Sequence, residues 1–418
     1  MPEQLSFAHI DAMAAVHAVN DTLRRIDERL IDHGERVAFI ACTLCEEGRL
    51  PLDPKTLFLL SVFHDIGAYK TEEIDRMVAF ETHDVWNHSI YGYLFLKYLS
   101  PLHQYAKAIL YHHMPWDELR QKDGVGRDYA ALIHLADRVD IAAHLDQDGP
   151  EVGSLLRNTK GLFCEEYAAL LRGCYQQRIL PALNDGSYRQ ENFARCGGFL
   201  PDVTETLEYL KMVVYSIDFR SDHTVTHTVN TISLALNIAR YFGLQGEMLE
   251  KIYLGALLHD VGKIAIPTEI LEYPGRLTSE QMDVMRTHVV ETKLLIEGIV
   301  PEDICQIAIR HHEKLDGSGY PMGLKAAALT QPQRIVAVAD IVSALSSRRS
   351  YKDPFPKEKT LTILNQMSQS QLDPEICRYV IEHYDAIMEA TQGSRLRVIQ
   401  QYQGIMQEYQ ELSSAMAG

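Results

Sequence analysis

Histidine and aspartate recur along this chain in one order, twice, and that repetition limits the possible folds more than any other feature. The first half carries His33, His64-Asp65, His88, His112-His113 and Asp137; the second carries His227, His259-Asp260, His288, His311-His312 and Asp340. The groups stand 31, 24, 24 and 24 residues apart in the first half and 32, 29, 23 and 28 in the second. The flanking text agrees: FHDIGAYK against LHDVGKIAI, ILYHHMP against AIRHHEK, LADRVD against VADIVS. Self-similarity at this scale predicts one domain present twice. We place the first copy at residues 1–150, a helical connector at 151–210, and the second copy with a polar helical tail at 211–418.

The local signals are helical. Asp53-Pro54 reads as an N-cap followed by proline at the first helical position, with Leu57, Leu60 and His64 then on one face. Thr278-x-x-Gln281 reads as a capping box before a helix bearing Met282, Met285, Val289 and Ile296. Pro301 and Asp373-Pro374 mark two further starts. Strand signals are nearly lacking, so the expected class is all-α.

Composition narrows the function classes. Apolar residues make up 46% and charged residues 23% of 418 positions, which fits a globular chain. A formal net charge of −17 repels DNA and RNA, so an anionic ligand needs a local metal or basic cluster to draw it in. MPEQLSFAHIDAM carries no basic segment ahead of an apolar run, and no stretch is apolar enough to span a bilayer. Seven cysteines without a secreted-type framework point to a reducing compartment, and the cytoplasm is expected. Cys42-x-x-Cys45 lacks a second pair and reads as helix packing.

Imidazoles and carboxylates without thiolates suit a transition metal such as iron, manganese or zinc. His227, His259, Asp260, His288, His311, His312 and Asp340 exceed what one tetrahedral ion needs, so two ions are expected, with a carboxylate such as Asp260 between them. Leu249, Ile252 and Ala256 form an inward stripe that His259, Asp260 and Lys263 are expected to continue on the same helix. The plainer alternative, core histidines satisfied by hydrogen bonds, fits one isolated histidine but not paired groups recurring in both halves.

HDVGK at 259–263, HHEKLDGSGYP at 311–321 and the following Asp340 resemble the HD-GYP family of HD-domain phosphohydrolases, over about residues 215–390. The resemblance implies hydrolysis of a cyclic dinucleotide, 3′,3′-cyclic GMP-AMP or cyclic di-GMP, to a linear dinucleotide with a 5′ phosphate. It implies a centre of two or three ions, iron or manganese, held by the seven residues above. His259, Asp260 and Lys263 would carry catalysis. Lys263, Gly319, Tyr320, Arg349 and Lys352 would contact substrate, the basic groups offsetting phosphodiester charge. For Arg348, Arg349 and Lys352, a solvated helix end is the competing reading. Gly317 and Pro321 complete a turn-rich loop.

The chain departs from the family pattern at two places. His223 lies one turn before His227, where it would ligate a third ion or hydrogen-bond the centre. Ser343 replaces the second aspartate of the usual DxxD, which predicts altered hydrogen bonding behind the ligands and not inactivity. The first half keeps a second candidate metal set, His33, His64, Asp65, His88, His112, His113 and Asp137. It has Ala68 where the second half has Lys263, and Met114-Pro115-Trp116 where the GYP loop begins. A degenerate structural or dimerising domain is therefore expected there. Arg138 keeps open a phosphohydrolase that removes a 5′ phosphate. For the whole chain the rival readings are a mononucleotide phosphohydrolase and a non-catalytic cyclic-dinucleotide sensor. A homodimer is expected, and no DNA, RNA or membrane partner.

Overall fold

The structure is a computed structural model that describes residues 32–70, 86–122, 124–144, 152–155, 157, 159–196, 203–218, 225–347 and 354–416. Among the described residues helices make up the fold and no strand forms, as the sequence predicts. Two isolated β-bridges join Glu297 to Val300 and Asp316 to Lys325. No described helix is long and apolar enough to cross a membrane. The described residues fall into two compact units. One holds those up to Ser216 together with Ile405 onward, and the other holds Ile217–Gly404.

In the first unit, helix His33–Gly48 is apolar nearly all round, and Val37, Phe39, Ile40 and Leu44 are fully buried on it. Each such side chain contributes about 1.5–3 kcal/mol when wholly removed from water. Helices Pro54–Val62 and Arg127–His144 pack against it. So do Glu165–Cys174 and Tyr188–Cys196, which lie in the stretch read from sequence as a connector. Cys42 and Cys45 are buried on the central helix and are not joined in a disulfide. Asp53 caps Pro54–Val62 by accepting from the Thr56 amide at 2.8 Å. Helices Trp86–Leu99 and Ala106–Leu110 complete the layer around the histidines.

The end of helix Tyr384–Met416 belongs to this unit too. Glu408 accepts from Lys97 Nζ at 2.6 Å, Tyr93 Oη at 2.9 Å and Tyr98 Oη at 2.7 Å, and Tyr409 stacks on Tyr91 with centroids 4.3 Å apart.

The second unit repeats the same five-helix order: Val225–Tyr241, Glu247–Leu258, Ser279–Ile296, Glu302–Ile309 and Gln331–Ser346. Thr278 and Gln281 form the expected capping box, at 3.2 and 3.0 Å. Only the later part of that helix is core. Val289 and Ile296 are buried, whereas Met282 is exposed and Met285 half-buried. Asp373 caps Pro374–Glu382 by accepting from the amides of Glu375 and Ile376.

Candidate metal centres

Each His-Asp pair sits where a helix runs out. Helix Pro54–Val62 stops before His64, and a 3₁₀ turn follows at Ile66–Lys70; Glu247–Leu258 stops before His259, with a 3₁₀ turn at Val261–Ala265. The continuous helical stripe expected through His259, Asp260 and Lys263 is therefore corrected: the α-helix ends and Asp260 turns away at φ −106°. Close packing is the reason. A Cβ on Gly262 would stand 2.0 Å from the His288 carbonyl oxygen, and one on Gly67 would stand 1.9 Å from that of His88. Only glycine lets the turn press onto the next ligand-bearing helix. In the second unit Thr292 Oγ1 fastens this contact, accepting from the Gly262 amide at 3.0 Å and donating to the His259 carbonyl at 3.1 Å.

The turn aims one carboxylate between two groups of imidazoles. Asp260 Oδ2 lies 3.4 Å from His227 Nε2 and 3.2 Å from His259 Nε2; its Oδ1 lies 3.4 Å from His288 Nε2 and 3.9 Å from His311 Nε2. Asp340 spans the same two groups, with Oδ1 3.1 Å from His227 Nε2 and Oδ2 3.6 Å from His312 Nδ1. The first unit repeats this atom for atom. Asp65 Oδ2 faces His33 at 3.7 Å and His64 at 3.4 Å, while its Oδ1 faces His88 and His112, both at 3.7 Å. Asp137 faces His33 at 3.3 Å and His113 at 3.7 Å. Fourteen of the fifteen candidate ligands read from the sequence, all but His223, are thus brought together, seven to a unit.

Five of the histidines are set for ligation through Nε2. Nδ1 of His259, His288 and His311 donates to the carbonyl three residues earlier, at 2.8, 2.6 and 2.6 Å. His64 and His112 do the same at 2.7 and 2.6 Å. That bond places the proton on Nδ1 and leaves the Nε2 lone pair pointing into the cluster. Buried His64 Nε2, His112 Nε2, Asp65 Oδ1 and Asp260 Oδ1 have no hydrogen-bond partner. Buried polar atoms are seldom left so, and a cation within each cluster would satisfy those of its own unit. The donor set fits divalent metal in both units.

Electrostatics agree in the second unit. Burial opposes ionisation of Asp260, but His259 and Lys263 reverse it and hold the carboxyl well below the usual range. Asp340 is likewise held down, by His227 and His312 against burial. Burial pushes His312 down to about 3 and His311 well below its ordinary value, so both are neutral. Charged carboxylates beside neutral His311 and His312 are the protonation states that a metal requires. At His259 burial opposes the charged ring, but Asp260 outweighs it and raises the imidazole, whose proton an ion would displace.

Here the units diverge. Lys263 Nζ donates to Asp260 Oδ2 in the second unit; the corresponding Ala68 is buried. His312 keeps 26% of its side chain exposed and Lys263 20%, so this cluster opens on one edge, whereas no ligand side chain in the first unit exceeds 2%. The Tyr320 ring lies over His312, centroids 4.6 Å apart, and Arg286 lies 5.5 Å from that ring. Glu313, buried, accepts from the amides of Met322 at 2.7 Å and Leu324 at 2.8 Å and so folds this loop back on the ligands. Gly319 lets it close, since a Cβ there would stand 2.5 Å from the His312 carbonyl oxygen. His223, Arg348, Arg349 and Lys352 lie outside the described residues.

Sequence reasoning singled out Ser343 behind the ligands of the second unit but missed the groups behind the first imidazole of the first unit. His33 Nδ1 meets Asp140 Oδ2 at 2.7 Å, and Arg36 clamps Asp140 at 2.6 and 2.9 Å. Position 140 stands three residues after Asp137 as Ser343 stands three after Asp340, and Ser343 Oγ meets His227 Nδ1 at 3.0 Å. Arg36 corresponds to Asn230, which donates to Ser347 at 3.1 Å. The second unit therefore replaces a buried ion pair with neutral groups at both positions. Comparing positions 36 and 140 with 230 and 343 in the repeat would have found the exchange.

The chain is similar to known proteins in sequence and fold. Residues 30–145 and 211–376 each match the HD domain family. The chain is 28% identical over 376 residues to 3′3′-cGAMP-specific phosphodiesterase 1 of Vibrio cholerae, covering 84% of this chain and 87% of that protein. A cyclic di-GMP phosphodiesterase of Thermotoga maritima is 36% identical over 190 residues, covering 45% of this chain and half the length of that relative. The crystal structure of a cyclic GMP-AMP specific phosphodiesterase from V. cholerae shares the fold at a TM-score of 0.55 and 17% identity, over 92% of this chain and 98% of that one.

Proposed function

We propose that this chain, which belongs to the HD-domain family, carries that domain twice and is homologous to the HD-GYP phosphodiesterases, hydrolyses a cyclic dinucleotide in its second unit. The observation that carries this reading is the edge of the second cluster, where Lys263, His312 and Tyr320 meet beside two carboxylates and five imidazoles. A phosphodiester entering there meets ligands for two ions and a mobile cation.

His227, His259, Asp260 and Asp340 would hold one ion, and Asp260 with His288, His311 and His312 the other, iron or manganese in each place. His223 is the candidate for a third. When bound, such ions supply Lewis-acid activation of the phosphodiester and of a water. The chain's own groups do the rest. Lys263 is salt-bridged to Asp260 in the free site, and its long stem lets it turn to a non-bridging phosphate oxygen. Arg349 and Lys352, by their resemblance to the family, hold the second phosphate. Tyr320, seated on His312, borders the entrance and offers a ring face to a base. Cleavage of one phosphodiester leaves a linear dinucleotide with a 5′ phosphate.

3′,3′-cyclic GMP-AMP is the favoured substrate over cyclic di-GMP. The relative named for the former spans both units, while the T. maritima relative named for the latter aligns with under half of this chain. We assign the first unit a structural or dimerising role, because Ala68 cannot supply phosphate charge and its ligands are closed off. A cytoplasmic homodimer without nucleic-acid partners suits the net charge of −17. The test presents manganese- or iron-loaded protein with each dinucleotide and compares kcat/KM. We expect turnover of both, higher for cyclic GMP-AMP, with a 5′-phosphorylated linear product. Turnover of neither, or turnover that survives loss of His259 and Asp260, would overturn the reading.

A further inference from the structure

Arg138 has no counterpart in the second unit, where position 341 is isoleucine and offers no side-chain donor. Its side chain is 2% exposed. Nε and Nη2 reach Asp137 Oδ2 at 3.0 and 2.9 Å, and Nη2 reaches His113 Nδ1 at 3.2 Å. We propose that Arg138 restricts the first unit to a single divalent ion, held by His33, His64, Asp65 and Asp137, and keeps His88, His112 and His113 from taking a second.

The argument is one of donors and acceptors. A guanidinium is always charged and only donates. His113 Nδ1 must therefore present its lone pair to Arg138, and the ring proton sits on Nε2. That nitrogen lies 2.9 Å from His88 Nε2, where it donates. A second ion would need lone pairs from both of these nitrogens at once. Ligation through His113 Nδ1 is closed as well, because the guanidinium occupies that side. Either route requires Arg138 to leave a buried position in which it grips two partners. Its charge also stands where a second cation would. Lys263 in the other unit differs in kind: it is a single ammonium on a flexible stem, partly exposed, and it can swing away.

The first ion's place keeps the features a metal needs. His64 Nε2 is buried without a hydrogen-bond partner, and His33 is held from behind by Asp140. His112 Nε2 and Asp65 Oδ1 are left equally bare on the side that Arg138 closes, which is why removing the guanidinium should admit a second ion there.

The experiment uses the full chain with Asp260→Ala and His311→Ala, which empties the second unit, and counts manganese by equilibrium dialysis with elemental analysis. We expect one ion per chain and the six-line electron paramagnetic resonance signal of isolated Mn(II). Arg138→Met in that background should raise the count to two and give an exchange-coupled spectrum; Arg138→Gln serves the same arm where methionine is not tolerated. Two coupled ions with Arg138 present, or none, overturns the proposal. So does a count that stays at one when a folded Arg138 variant replaces the cation. Turnover of dinucleotide plays no part in this readout, so its outcome is separable from that of the phosphodiesterase reading.

Discussion

The two clusters share seven ligand positions, almost the same distances and the glycine turn that sets them, yet they differ in the charged groups beside and behind those positions. In the second unit a partly exposed lysine and an open edge adjoin Asp260, and neutral Ser343 and Asn230 stand behind His227. In the first, the edge is filled by Arg138, and the ion pair Arg36–Asp140 stands behind His33. A set of metal-type donors is therefore a property of the duplicated scaffold. Access and the position of the cation distinguish the cluster fitted for a phosphodiester.

The strongest way to break that comparison is to delete the bridging carboxylate in each unit. Asp260→Ala should lower cyclic-dinucleotide turnover on the order of 10³-fold or more, since it removes a ligand from both ion places. Asp65→Ala should lower it by less than about tenfold, as expected for an independent site. Steady-state rates at saturating metal decide it, and equal losses would erase the distinction between the units.

Next come the two glycines, where the units should behave alike. An added methyl at Gly262 meets the Thr292 amide at 2.3 Å, and one at Gly67 meets the Gly92 amide at 2.4 Å, both backbone atoms with little room to yield. Gly262→Ala and Gly67→Ala should each cost about 3 kcal/mol or more. Urea unfolding followed by hydrogen exchange would place each loss in its own unit.

The lysine sharpens the comparison further. Lys263→Met should reduce kcat/KM roughly 10²-fold while metal content stays at the wild-type value, the scale of one lost electrostatic contact. Ala68→Lys, made in the Asp260→Ala background, should not create cyclic-dinucleotide hydrolysis, because Arg138 still fills the edge. Measurable turnover there would show that one lysine is all the first unit lacks.

Much of this was legible in the sequence because the ligand residues are rare types at repeated spacings, and helix ends announce themselves through Asp53-Pro54, Thr278 and Asp373-Pro374. The helix break at His259 was not. Leu249 through Ala256 carry a good helical period, and nothing local says that Gly262 must meet a carbonyl 26 residues further along the chain. Glu313 was visible as part of HHE, but its work, holding amides nine and eleven residues later, depends on a loop path that only packing defines. Met282 misled in the opposite sense: it has the right period for a buried stripe but sits on the exposed early turns of its helix.

The smallest expected effect tests what lies behind the first imidazole. Burial would raise the Asp140 carboxyl, but Arg36 and then His33 lower it to about 2. A carboxyl depressed below its ordinary value of about 3.9 stabilises the fold at every pH above that value, and the gain is lost as pH falls toward 2. Asp140→Asn should therefore cost about 2 kcal/mol near neutral pH, and the gap from wild type should narrow between pH 4 and pH 2. Ser343→Ala removes a neutral hydrogen bond and should cost only ~0.5–1 kcal/mol, with no such dependence on acid. Chemical denaturation of both variants at pH 7, 4 and 3 separates the cases. If the Asp140→Asn deficit were the same at all three, the carboxylate would not be the stabilising species, and the contrast between an ionic and a neutral backing for the two imidazoles would fail.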